Sequence, residues 1–168
     1  MDTYIISLKE ILWGGFLVAI TVSIHGTGMF VILRITDSLK ERFGPIESFL
    51  GDLGVIVLAS WLIILTNLVE VMAWAAFYVL RDAQPNHSVA FYHALLNYTT
   101  LQAGYLPRHW RLLEALLGMV GLLTIAWSTG ILFMLARDFQ DNQLRIRKRK
   151  HELKNKASST RQPDSSAP

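Results

Sequence analysis

Apolar residues fall in three long runs, at residues 11–33, 53–80 and 115–136, separated by shorter stretches that carry most of the polar and charged positions. A hydrocarbon core about 30 Å thick takes roughly 20 residues of apolar helix to cross, and each run supplies about that length. The pattern therefore predicts an all-α integral membrane protein with three transmembrane helices, over about 11–35, 53–80 and 112–136. The first run reads as a retained helix rather than a leader. No basic cluster precedes it, it is longer than the apolar part of a signal peptide, and no small-residue cleavage site ends it.

Between the second and third runs lies HSVAFYHALLNYTTLQAGY, residues 87–105, too short and interrupted to cross a bilayer and too apolar for an exposed loop. Asn86 or Ser88 can cap a helix there, and its apolar positions Val89, Phe91, Tyr92, Leu95 and Leu96 lead to Thr99 and Thr100. The expectation is a re-entrant segment with a half-span helix over about 88–101. Irregular backbone at membrane depth is tolerated only where protein buries it or water meets it. The helix would aim the negative end of its dipole at its C-terminal side, which favours a cation at that point.

Composition agrees with the pattern, since 52% of the residues are hydrophobic and only 17% charged. No cysteine is present, which excludes disulfides and thiolate metal sites. Charge sets the orientation, because Lys and Arg in short flanking segments stay in the cytoplasm. Arg137, Arg145, Arg147, Lys148, Arg149, Lys150, Lys154 and Lys156 follow the third run, whereas only Lys9 precedes the first. The C-terminus is expected inside, the N-terminus outside, and the half-span segment open to the outer face. Arg34, Lys40 and Arg42 then lie in a cytoplasmic connection, where Gly44 and Pro45 mark a turn. Residues 1–136 read as one membrane domain and 137–168 as a basic cytoplasmic tail with a Ser- and Pro-rich, disordered end. The basic tail reads as a topology anchor beside lipid headgroups, with no nucleic acid as partner. No nucleophile with its base, phosphate-cradling loop or metal-ligand cluster stands out, so no enzyme, cofactor or metal is expected.

Three polar residues stand inside the apolar runs: His25 in the first, Asn67 and Glu70 in the second. An ionisable group at membrane depth is costly and calls for a partner. Antiparallel first and second helices could bring His25 and Glu70 to one depth. The ordinary reading has Glu70 hydrogen-bonded to His25, Trp74 or the half-span backbone, bracing the loop from behind. The sharper reading is a proton-sensing pair, since histidine changes charge near neutral pH. A zinc site falls short on ligand count. Gly118, Gly121, Ala126, Ser128, Thr129 and Gly130 suggest close helix packing along the third run, or a glycine hinge. Trp61, Trp74, Trp110 and Trp127, with Tyr78, Tyr92, Tyr98 and Tyr105, include several near span ends, consistent with interfacial belts.

The order LVEVMAWAAFYVL, then NYTTL, then WRLLEALLGMVGLLTIAWSTGILF, with TVSIHGTG in the first run, resembles the small bacterial potassium-channel-like family. This is the two-transmembrane potassium-channel pore domain with an extra N-terminal helix, and the resemblance covers most of residues 21–136. It implies a homotetramer in the bacterial inner membrane, with cytoplasmic inner-helix ends and potassium as the permeant monovalent cation. The family's filter motif is Thr-Thr-Leu/Val-Gly-Tyr-Gly-Asp. Thr99, Thr100 and Leu101 match its start and Gly104 its second glycine, but Gln102 replaces the first glycine, Ala103 the tyrosine and Tyr105 the aspartate. The segment from there to Trp110 is also about two residues shorter than is usual in that family.

A potassium filter lines its axis with successive carbonyls, which needs glycine at left-handed positions. Another residue there costs about 1–2 kcal/mol in each subunit. The loss of the tyrosine removes packing behind the filter, and the loss of the aspartate removes an acidic ring. The expectation is an ion channel with altered or lost potassium selectivity. Its pore is either wider, lined by Thr99 or Thr100 hydroxyls and Gln102 amides, or sealed. The alternative is a non-conducting scaffold or modulatory subunit that keeps the channel fold.

Overall fold

The fold is given by a computed structural model that describes residues 7–43, 49–101, 104 and 106–160. The chain is all-α within these residues. Helices α1 (Leu8–Phe43), α2 (Phe49–Leu80) and α4 (Arg111–Thr160) are each long and apolar enough to cross a membrane. The short helix α3 (His87–Tyr98) stands between the second and third of them, and a single turn of 3-10 helix, Arg108–Trp110, leads into α4. The Gly44–Pro45 turn, Gln102, Ala103, Tyr105 and the end of the tail from Arg161 lie outside the described residues.

Local sequence explains where the helices start. Ser7 and Glu10 form a capping box at the start of α1: Glu10 N–H donates to Ser7 Oγ at 3.2 Å, and Ser7 N–H to Glu10 Oε2 at 3.1 Å. Asn86 caps α3 by accepting from Val89 N–H at 2.9 Å.

Both α2 and α3 end in a Schellman motif, in which a left-handed residue lets two N–H groups turn back onto the last turn. At α2 the left-handed residue is Asp82 (φ 52°), with Ala83 N–H donating to Tyr78 O at 2.8 Å and Asp82 N–H to Val79 O at 3.1 Å. At α3 it is Thr100 (φ 64°), with Leu101 N–H donating to Leu96 O at 2.8 Å and Thr100 N–H to Asn97 O at 3.0 Å. The half-span helix therefore stops three residues before the expected position 101. A β-branched residue is poorly suited to that φ. Its adoption here marks a turn held by its surroundings.

Register is consistent along the three long helices. Glu10 with Leu112, Gly14 with Leu116 and His25 with Trp127 each stand 102 positions apart, so α1 and α4 run parallel. Thr21 meets Trp74, His25 meets Glu70 and Gly28 meets Thr66, so α1 and α2 run antiparallel. Asp52 accepts from Asn142 Nδ2 at 2.8 Å and Gln143 Nε2 at 2.9 Å, which ties the start of α2 to the far part of α4.

That far part extends the third long helix well past its apolar run. The basic segment after Ala136 continues α4 as helix to Thr160, giving 50 helical residues in one element. At 1.5 Å per residue the helix is about 75 Å long, more than twice a hydrocarbon core. The segment is charged, and its Lys and Arg side chains lie in the solvent-exposed class.

Apolar burial is split in two. One core gathers Leu17, Val71, Trp74, Tyr78, Ala90, Ala94, Leu113 and Leu117 around α3. A smaller one holds Met29, Ile32, Ala59, Ile63 and Leu135 further along the same helices. The tryptophans and tyrosines divide between core and surface. Trp74, Tyr78, Tyr98 and Trp110 are buried, and only Trp61, Tyr92 and Trp127 among the described ones are exposed as a belt requires. Burial of Trp110 is explained by an edge-on contact with Phe77, ring centroids 5.5 Å apart.

Candidate functional site

Glu70 is at the centre of a buried polar cluster drawn from four helices. His25 Nδ1 of α1 stands 2.7 Å from Glu70 Oε1, the imidazole donating when Nδ1 carries its proton, and Tyr98, the last residue of α3, donates its hydroxyl to Glu70 Oε2 at 2.8 Å. Having given its proton to Glu70, the Tyr98 hydroxyl can only accept from Thr124 of α4, whose Oγ1 stands 2.6 Å away. Thr124 Oγ1 also lies 3.1 Å from the carbonyls of Val120 and Gly121 of its own helix. His25, Glu70 and Thr124 are completely buried and Tyr98 nearly so.

The sequence pairs His25 with Glu70, and they are brought together. The two other partners considered for Glu70 are not. Trp74 Nε1–H donates instead to Thr21 Oγ1 at 2.8 Å, one turn away, and the contact with α3 is made by the Tyr98 side chain, not by backbone. Asn67 lies one turn before Glu70, and its buried Oδ1 has no hydrogen-bond partner among the described residues.

The end of α3 is gripped at backbone level as well. A Cβ on Gly121 would collide with Tyr98 O and stand 3.0 Å from Tyr98 C, and one on Gly118 would stand 3.3 Å from Asn97 O. These two glycines let α4 pass directly against the last turn of α3, which is the close packing their spacing suggests. Gly130 faces open space, and Ala126 and Thr129 are exposed.

Beyond the turn, Glu114 of α4 reaches back to accept from Leu106 N–H at 2.7 Å. Glu10 does the same for the start of α4, accepting from Leu112 N–H at 3.4 Å. The end of the loop and the start of α4 are thus held by carboxylates that are themselves buried. Earlier in the loop, just after α3, Thr99, Thr100, Leu101 and Gly104 (φ 62°) are exposed on the single chain. The Thr99 hydroxyl donates back to Leu95 O at 3.0 Å and Leu96 O at 3.1 Å. Gln102, Ala103 and Tyr105, also expected at the filter, lie outside the described residues.

Several of these residues were open to sequence reasoning and not singled out by it. Ser7 and Glu10 carry the capping-box spacing. Glu114 is a carboxylate inside an apolar stretch, the signal that picks out Glu70. Tyr98 and Thr124 carry no such signal, since a tyrosine near a span end and a threonine in an apolar helix are ordinary.

No group of three or more His, Cys, Asp or Glu able to hold a metal occurs among the described residues. The arrangement fixes the end of one short helix against three long ones. Comparison with protein-family models, with curated proteins and with solved structures finds no match for this chain.

Proposed function

We propose that the chain is a divergent member of the small bacterial potassium-channel-like family, a multi-pass inner-membrane protein that conducts monovalent cations with altered or lost potassium selectivity. Four copies would set their α3 helices around a common axis, with the segment from Thr99 to Tyr105 lining it. The reading rests on one observation above all. The last turn of α3 is clamped by every long helix, through His25 with Glu70, through Thr124 and through Gly121, while the residues just after it are exposed. A rigid support behind an exposed, strained turn suits a loop presented to something outside the single chain.

Charge supports the orientation. The basic half of α4 belongs on the cytoplasmic side, which sets the exposed loop toward the outer face. The family resemblance supplies the identity of the ion, and the substitutions Gln102, Ala103 and Tyr105 supply the loss of selectivity. Within this reading Glu70 is a brace.

Flux into liposomes carrying the purified protein tests the proposal, under potassium, sodium and choline gradients. A second protein, Gln102→Gly/Ala103→Tyr/Tyr105→Asp, restores the family motif. Cation flux above empty liposomes is the expected result for the native protein, with potassium and sodium poorly separated. A silent native protein with potassium flux in the restored variant would instead favour the non-conducting scaffold, and silence in both would remove the support for a channel.

A further inference from the structure

The two apolar cores are separated by a polar layer that the Glu70 cluster does not fill. Three buried side-chain atoms in it have no hydrogen-bond partner among the described residues: His25 Nε2, Asn67 Oδ1 and Ser128 Oγ. They come from α1, α2 and α4 respectively. Buried polar atoms are paired in the great majority of cases, with protein or with ordered water. Three orphans on three helices need a common explanation if they stand together.

Register places them at one level. Asn67 lies as far along α2 from Asp52 as Ser128 lies back along α4 from Gln143, and Asp52 and Gln143 are hydrogen-bonded to each other. Asn67 is also three residues before Glu70, and Ser128 four after Thr124, so each repeats the face that carries its helix's member of the cluster. The third atom is tied to this level through Trp127, the neighbour of Ser128, whose ring lies 5.3 Å from that of His25.

We propose that a buried water is bound in this layer, shared by Asn67 Oδ1, Ser128 Oγ and His25 Nε2, and that it extends the Glu70 cluster toward the second core. The hydrogen-bond count closes. With the proton of the ring on Nδ1 and given to Glu70, His25 Nε2 is an acceptor, and Asn67 Oδ1 is an acceptor by its nature. The water donates one hydrogen to each and accepts from the Ser128 hydroxyl. Three partners are the usual number for a buried water. The second nitrogen of His25, otherwise cut off from solvent, thereby gains a partner that can carry a proton.

A double-mutant cycle on the purified full-length protein tests this, with thermal midpoint as the readout. Ser128→Ala and Asn67→Leu each remove one partner and leave the rest of a water site unsatisfied. The expected result is that each lowers the midpoint and that the double variant loses clearly less than the sum. Midpoints that rise in the single variants, or fall additively, would overturn the proposal, because orphaned groups without water are better replaced by apolar ones. Should Asn67→Leu fail to fold, radiolytic labelling of the native protein in oxygen-18 water gives the same decision. His25 takes up the label if water touches it, and an unlabelled His25 would overturn the proposal.

Discussion

Replacing Glu70 removes the acceptor of two hydrogen bonds at once, and the geometry lets the loss be divided. Bonds to a charged group contribute about 1.5–3 kcal/mol each in soluble proteins, but interhelical bonds in membranes average about 0.6 and reach about 1.7 kcal/mol, since the unfolded state in lipid also finds partners. The 2.7 and 2.8 Å contacts of Glu70 are short and completely buried, which places them at the upper end of that scale. Glu70→Ala should therefore cost about 3 kcal/mol. Tyr98→Phe breaks one of the two bonds and leaves His25 paired, for a loss of about 1–1.5 kcal/mol. His25→Ala and Glu70→Ala together should cost less than their sum by about 1.5 kcal/mol, the coupling of the pair. Unfolding of the purified protein by SDS titration in mixed micelles measures all four. Losses of His25→Ala and Glu70→Ala that add to within about 0.5 kcal/mol, the limit for independent sites, would show that the two side chains are not coupled.

Further expectations concern the turn and the helix ends. Gly121→Ala drives a methyl group into the backbone of Tyr98 and should cost about 1–3 kcal/mol, with loss of the α3–α4 contact visible as faster amide exchange at Leu95 to Thr99. Thr100→Gly relieves a left-handed β-branched residue and should stabilise by about 1 kcal/mol after the greater flexibility of glycine in the unfolded chain is counted, measured in the same SDS titration. Glu114→Gln keeps an acceptor for Leu106 N–H at 2.7 Å and should be mild, whereas Glu114→Ala leaves that buried N–H unpaired, at about 1–3 kcal/mol; the difference between the two isolates the hydrogen bond. Asp52→Ala frees Asn142 and Gln143 and should raise proteolytic cleavage of α4 beyond Phe139 while leaving SDS unfolding of the membrane part nearly unchanged.

Much of the frame was legible because its signals are long. Three apolar runs gave three helices, and Asn86 marked the start of α3 by the one property that matters there, an acceptor for the free N–H of Val89. The pairing of His25 with Glu70 was legible because an ionisable group in an apolar stretch must have a partner, and antiparallel neighbours limit the choice. The contribution of Tyr98 was not, since it depends on where α3 ends, and that is set by a left-handed Thr100 that no propensity favours. The contact of the charged part of α4 with α2 was not legible either, since Asn142 and Gln143 meet an Asp52 some ninety positions away in the chain. Aromatic residues were assigned to belts by their place along the runs. The face on which Trp74 and Trp110 fall, and so their burial, is fixed only by packing.

The central claim is that the exposed turn after α3 meets its own copies around an axis. Leu101 is 68% exposed on the single chain, and the sequence has no cysteine, so Leu101→Cys is the only thiol in its variant. Oxidation of that variant in native membranes, followed by denaturing electrophoresis, is the direct measurement. Disulfide-linked dimers in high yield, independent of expression level, are the expected result, as for thiols held together in one assembly. Monomer alone, with the thiol still freely labelled by maleimide, would contradict the claim.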